Sequence, residues 1–386
     1  MTGAMYAAIA GLRTHMQNLN VIGNNVANVN TYGYKASRSV FRTSIYTTLS
    51  GGSDGTNTVG GKNPSQIGYG ANMGSVDIDM STGNYAVTGK ATDMMIDGDG
   101  FFMVGDKTIA DTFDGTADDV NAFTALNLTR VGNFDFKADG YLTNSDGQVV
   151  YGFLCTGIDA ATGKAVFSDQ LVPIRFPGVG AKDGANGELE LKWPTTAVEG
   201  DANAVGKLHD AMQPVAADAP AGTEAEPWPK ATFNGITVDG KTGVISGTCA
   251  ETGEQVVIGA VAIGMVTNPN GVTSMGNSYY KAGEGAGNLS VALFGGAGED
   301  LGITYVNGEL AQAPADGGDA PDPVDGLRLR KGAKNASIIS GGLEMSKTDL
   351  AQEISQMILT QRGYQANTRI ITVTDSMLEE LVNMKR

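Results

Sequence analysis

Both ends of this chain carry the apolar periodicity of a helix, and the long stretch between them does not. From Met5 the apolar residues fall at Met5, Ile9, Leu12, Met16, Leu19, Ile22, Val26 and Val29, in steps of 4, 3, 4, 3, 3, 4 and 3. Such steps line up one helix face, close to a heptad seam. At the other end Leu343, Leu350, Ile354, Met357, Tyr364, Ile371, Leu378 and Val382 follow a 3.5-residue repeat. Polar Lys347, Gln361, Thr368 and Asp375 interrupt that seam. A seam diluted in this way is weak alone and needs partners. A helix from Met345 to Asn383 would run ~60 Å. Ser346 followed by Asp349 reads as its start signal. Gly363 sits inside it at a cost of about 1 kcal/mol against Ala, a position for a bend or for close packing.

Neither helix has a helical neighbour in sequence. The economical arrangement packs the first against the last, or against copies in other chains. The expected fold is therefore α+β and multidomain. Paired N- and C-terminal helices form a coiled-coil-like inner domain over 1–32 and 343–386, with two antiparallel β domains inserted. Residues 33–74 read as a linker, because Ser50 to Gly61 is rich in Gly, Ser and Thr. A first β domain is expected over 75–155 and 255–342. Its strand candidates are Ser75–Met80, Met94–Ile96, Phe101–Val104, Asn133–Phe136, Gln148–Phe153 and Gln255–Val266. The turn pairs Asp97-Gly98, Asp139-Gly140 and Asp146-Gly147 separate them. Residues 156–254 differ in texture and read as a second β domain. They hold both Trp residues, the soft run Asp210–Pro229, and strand candidates at Leu189–Leu191, Thr232–Val238 and Gly243–Ile245. Ala311–Asp325 reads as an exposed loop.

Glycine is plentiful, 55 of 386 residues, while proline is only 12, which suits tight turns between short strands. The net charge of -16 argues against a cationic face for nucleic acid or anionic lipid. No apolar run reaches the length of a membrane helix, so no membrane insertion is expected. The N-terminus lacks a basic leader followed by an unbroken apolar stretch, so no cleaved signal is expected.

Nothing in the chain argues for an enzyme or a cofactor. Gly68–Gly74 and Gly296–Gly302 each miss a dinucleotide fingerprint by one residue and stand outside any βαβ unit. Asp97 and Asp99 lack the remaining ligands of a calcium loop. Two histidines, His15 and His209, cannot build a three-histidine zinc site. Cys155 and Cys249 flank the second β domain. Two buried thiols are the preferred reading, with a disulfide closing that domain or one reactive thiol still open.

One segment is far more specific. Asn24–Lys35 reads NNVANVNTYGYK directly after the first helix. Asn24, Asn25 and Asn28 can bond locally to backbone and end a helix, Thr31 follows, Gly33 allows a turn, and Tyr34 and Lys35 open an extended run. This resembles the signature of flagellar rod and hook axial proteins. Thr82–Val104, Thr129–Gly152 and Ser340–Arg386 are similar to further family segments in the family's order, and together the matches cover about half the chain. The resemblance implies a non-enzymatic subunit whose terminal helices form an inner tube while β domains project outward. The extra β domain points to the hook, a curved joint, with a distal rod protein as the alternative. Outside the family, the alternative is a secreted β-rich adhesin on a helical stalk. The implied partners are other copies of the chain, rod and hook–filament junction proteins, the hook cap, and the export chaperone and apparatus. The implied location is extracellular, on the flagellum, after export without a cleaved signal. The seam residues expected to carry assembly are Ile9, Leu12, Met16 and Leu19, with Leu350, Ile354, Met357, Tyr364, Ile371, Leu378 and Val382.

Overall fold

The computed structural model describes residues 2–55, 60–107, 126–158, 165–167, 171–181, 189–192, 230–240, 242–287, 289–292, 305–306, 309–310 and 336–384. The run 210–229, His209, the 296–302 segment and the 311–325 loop lie outside them. The chain divides into two compact units, Met80–Met345 and the two flanking ends together. Two terminal helices and a largely antiparallel β body make it an α+β protein.

The unit formed by the ends holds α1 (Thr2–Ala27) and α2 (Leu350–Met384). α2 starts later than Met345. The Asp349 carboxylate accepts from the amides of Ala351 and Gln352 at 3.0 and 3.2 Å, so it is the residue that caps the helix. Ser346 bonds instead to Thr348. Residues 33–74, expected as a linker, carry strands. These are β1 (Ser37–Thr43), β2 (Tyr46–Ser50), β3 (Ser65–Gly68) and β4 (Ala71–Ile78). β1 pairs β4 and β2 pairs β3, both antiparallel. From Phe41↔Met73 through Thr43↔Ala71 to Tyr46↔Gly68 the register is continuous, so the four strands form one long two-stranded ribbon. Alternation in SVFRTSIYTT is carried by Ser and Thr as much as by apolar side chains, which hides the period-2 signal.

In the unit Met80–Met345, one sheet path runs through eight strands. They are Phe233–Val238, Val244–Cys249, Gln255–Val261, Val149–Ile158, Phe101–Gly105, Asn127–Thr129, Tyr279–Lys281 and Thr273–Gly276. Its core gathers Ile96, Phe102, Val150, Ile258, Ile263 and Ile338. The Phe102 and Phe134 rings meet edge to face at 5.1 Å. Two strands of the 156–254 region, Phe233–Val238 and Val244–Cys249, join this same sheet, the second pairing directly with Gln255–Val261. Leu343, read as part of the helical seam, lies instead in the strand Gly342–Glu344, paired with Tyr85–Val87. Cys155 and Cys249 are buried and are not joined in a disulfide.

A buried ion pair ties this unit where the chain enters and leaves it. Arg130 and Glu344 side chains are each 1% exposed, with Nη1 and Oε2 3.7 Å apart. Glu344 Oε1 accepts from the Gly83 amide at 2.6 Å, and Arg130 Nη2 donates to the Gly98 carbonyl at 2.8 Å. Burial lowers the Arg130 pKa, against the opposing pull of Glu344.

Candidate assembly surface

The Asn-rich motif is a hydrogen-bonded knot joining α1, β1 and α2. The Asn25 amide donates to the Ser37 carbonyl at 2.8 Å and to the Glu353 carboxylate at 2.9 Å. Its oxygen accepts from the Ser37 amide at 2.9 Å and from the Tyr34 hydroxyl at 3.1 Å. Asn24 donates to the Tyr34 hydroxyl. Asn28 bonds back to Asn24, and the Thr31 hydroxyl bonds to Asn28, closing the end of α1. Gly33 takes φ 65°, a left-handed turn that suits glycine. Lys35 is buried just before β1. The structure thus brings together Asn24, Asn25, Asn28, Thr31, Gly33, Tyr34 and Lys35. It adds Glu353, which sequence reasoning missed because its partner is 328 residues away. Burial, and then the neighbouring Asp349, raise the Glu353 pKa, with the Asn25 bond opposing. Burial, and then Glu353, raise that of Tyr34.

The two helices meet through small and polar residues. Asn18 donates to the Thr360 hydroxyl at 2.9 Å. A methyl group on Gly11 would stand 2.6 Å from the Asn367 amide nitrogen, and one on Gly363 would stand 2.7 Å from the His15 ring. Gly363 therefore serves close packing. The contacts run antiparallel, with Asn25 beside Glu353, Asn18 beside Thr360, His15 beside Gly363 and Gly11 beside Asn367. Small residues let the axes approach, and the polar pairs fix the register.

The expected seam lies mostly outside this contact. On α1, Ile9, Leu12 and Leu19 are half-buried and Met16 is exposed. On α2, Met357 and Ile371 are half-buried at the spacing of the α1-facing residues. Leu350, Ile354, Tyr364, Leu378 and Val382 are exposed. A further exposed row, Ile370, Val373, Met377, Leu381 and Met384, also follows three- and four-residue steps. It carries the same periodic signal in a second register, and could have been found by testing α2 for two stripes. Among the described residues no cluster of ligating side chains could hold a metal, and no helix is long and apolar enough to cross a membrane.

Two terminal helices that pair through polar groups and leave apolar rows in solvent, with an antiparallel β body between them in sequence, define a structural protein built on its joined ends. The model described as "Flagella basal body rod protein" matches residues 5–35, and that described as "Flagellar basal body rod FlgEFG protein C-terminal" matches residues 339–384. The chain is 30% identical to the flagellar basal-body rod protein FlgG of Bacillus subtilis, over 100% of both chains. It is 27% identical to the flagellar hook protein FlgE of Borreliella burgdorferi, again over 100% of both. Against FlgE of Salmonella typhimurium it is 24% identical over 98% of this chain and 99% of the other. The chain belongs to the flagellar rod and hook protein family, the structural subunits of the flagellar axis.

Proposed function

We propose that the chain is the hook subunit, polymerising into a curved, flexible tube that joins rod to filament and transmits torque. The observation that carries this reading is the row of large apolar residues left exposed on α2 in a chain that aligns end to end with hook proteins. A tube of identical subunits needs heterologous contacts that do not close, and such rows bury only when copies meet. In this reading α1 and α2 form a coiled-coil-like inner domain, and Ile9, Leu12, Met16, Leu19, Leu350, Ile354, Met357, Tyr364, Ile371, Leu378 and Val382 are its assembly residues. The β body divides into two inserted domains, with 156–254 outermost. The subunit is exported through the export apparatus and its chaperone to an extracellular position. There it meets rod, cap and hook–filament junction proteins.

A distal rod protein is the second reading, favoured by the 30% identity to a rod protein. Immunogold electron microscopy of purified hook–basal bodies, with antibody raised against residues 156–254, separates the two. Label along the curved segment outside the envelope is expected. Label confined to the straight rod would move the assignment to the rod, and no label on the flagellum would remove both.

A further inference from the structure

An asparagine followed by glycine can react with its own backbone, because glycine leaves its amide nitrogen unshielded and lets the chain bend toward the side chain. The sequence holds four such pairs. Asn186-Gly187 and Asn307-Gly308 lie outside the described residues. The fold treats the other two, Asn270-Gly271 and Asn234-Gly235, in opposite ways.

Asn270-Gly271 is held on both sides. It closes the short 3₁₀ turn Pro269–Gly271, where the Gly271 amide donates to the Asn268 carbonyl at 3.0 Å. The Asn268 side chain donates to the Gly285 carbonyl at 3.0 Å, and a methyl group on Gly271 would collide with that same carbonyl. The nitrogen that would react is already bonded, and the backbone beside it has no room to turn.

Asn234-Gly235 is open. It lies in Phe233–Val238, the strand that ends the sheet path. The Ala250 amide donates to the Thr232 carbonyl at 2.8 Å, while the Cys249 amide turns the other way, to the Glu254 carbonyl. Antiparallel residues alternate in this manner, so Asn234, opposite Thr248, is the next to face the neighbouring strand. A trans peptide points its N–H opposite to its C=O, so the Gly235 amide faces away from that strand. The register then breaks between Asn234 and Thr237, and Gly235 bulges at φ 62°. Both residues of the pair are exposed, and a methyl group on Gly235 would meet nothing within 4 Å.

We infer that Asn234 is a site of spontaneous modification, where the chain converts its own side-chain amide to a carboxylate with water as the only co-reactant. The Gly235 nitrogen attacks the Asn234 side-chain carbonyl carbon and gives up its proton. The bond to the side-chain nitrogen breaks, ammonia leaves, and a cyclic imide stands in its place. Water opens the imide at either carbonyl, leaving aspartate or isoaspartate. Each copy gains one negative charge on an exposed strand, and isoaspartate also adds a methylene to the backbone at the bulge. A copy held in a polymer keeps that mark, so the charge accumulates with the age of the assembly. This last consequence alone rests on the reading that the chain polymerises.

The purified full chain, incubated at mildly alkaline pH and then digested for peptide mass spectrometry, reports on both pairs at once. Labelling by an isoaspartate methyltransferase separates the two products. In native buffer Asn234 is expected to convert at least tenfold faster than Asn270. In urea, where turn and strand are both lost, that gap should close. A native gap below tenfold would overturn the assignment. A gap of tenfold or more that persists in urea would also overturn it, since the residues flanking each pair, and not the fold, would then set the rate.

Discussion

Asn25 on α1 donates a 2.9 Å hydrogen bond to Glu353 on α2, and the same side chain holds both backbone groups of Ser37 at the start of β1. One buried amide therefore links three elements. Asn25→Ala would leave the Ser37 amide and carbonyl and the Tyr34 hydroxyl without this partner. Each buried polar group so orphaned costs about 1–3 kcal/mol. The expected result is earlier loss of the helical circular-dichroism signal in urea, with the β signal little changed. Asn25→Asp keeps an acceptor but sets a second carboxylate against Glu353, and should be no better than Ala.

The raised Glu353 pKa fixes a sign. Burial and Asp349 disfavour its charged form in the folded unit, so the folded state holds that proton to higher pH than the unfolded chain does. Its contribution is full below the ordinary carboxylate pKa and is lost as pH rises through the raised one. The helical unit should therefore resist urea better in mild acid than at neutral pH. Glu353→Gln should flatten that dependence. Asp135 runs the other way: burial raises its pKa, but bonds to Lys90 and Lys137 outweigh this and lower it. The inserted unit should thus weaken as pH falls below the carboxylate range. Urea titrations at several pH values, read at helical and β wavelengths, would separate the two trends.

Periodicity made both helices legible, and the strands around Phe101 and Val150 were equally visible because Asp-Gly turns precede their apolar runs. The helix contact was not. Gly11, His15, Asn18, Thr360, Gly363 and Asn367 carry no hydrophobic pattern, and only their close approach reveals them. On α2, the apolar residues that did stand out are mostly those the single chain leaves in solvent. The ribbon was missed because Thr and Ser occupy half of its alternating positions. The true start of α2 was missed because Asp349 caps it while Leu343 and Glu344 are drawn into a strand pair. Of the motif, composition foretold an ending helix and a glycine turn, but the bond to Glu353 needed the fold.

Arg130 and Glu344 are a pair whose members depend on one another. Arg130→Met leaves a buried carboxylate without its guanidinium, while the Gly83 amide still donates to it. Breaking one side of a buried pair costs about 3–5 kcal/mol. The urea midpoint of the β signal should fall accordingly. Replacing both, Arg130→Met with Glu344→Leu, should recover most of that loss, since two apolar side chains need no partner charge. A double variant as weak as the sum of the two single ones would show that the residues act independently.

Ile354 is 44% exposed on α2, off the stripe of Thr360, Gly363 and Asn367 that meets α1. A charge there costs the single chain little, because an exposed substitution away from a cap or core usually stays within about 0.5 kcal/mol. In a polymer the same position repeats in every copy. If neighbours bury it, each copy must desolvate an unpaired carboxylate, and that cost recurs along the tube. Ile354→Asp should therefore abolish hooks while monomer circular dichroism and urea midpoint match the parent. Ile354→Leu, which keeps the apolar volume, should assemble. Electron microscopy of cells carrying each variant decides it. Normal hooks from Ile354→Asp would remove Ile354 from the assembly surface, and with it the claim that the Leu350–Ile354 row is what neighbouring copies bury.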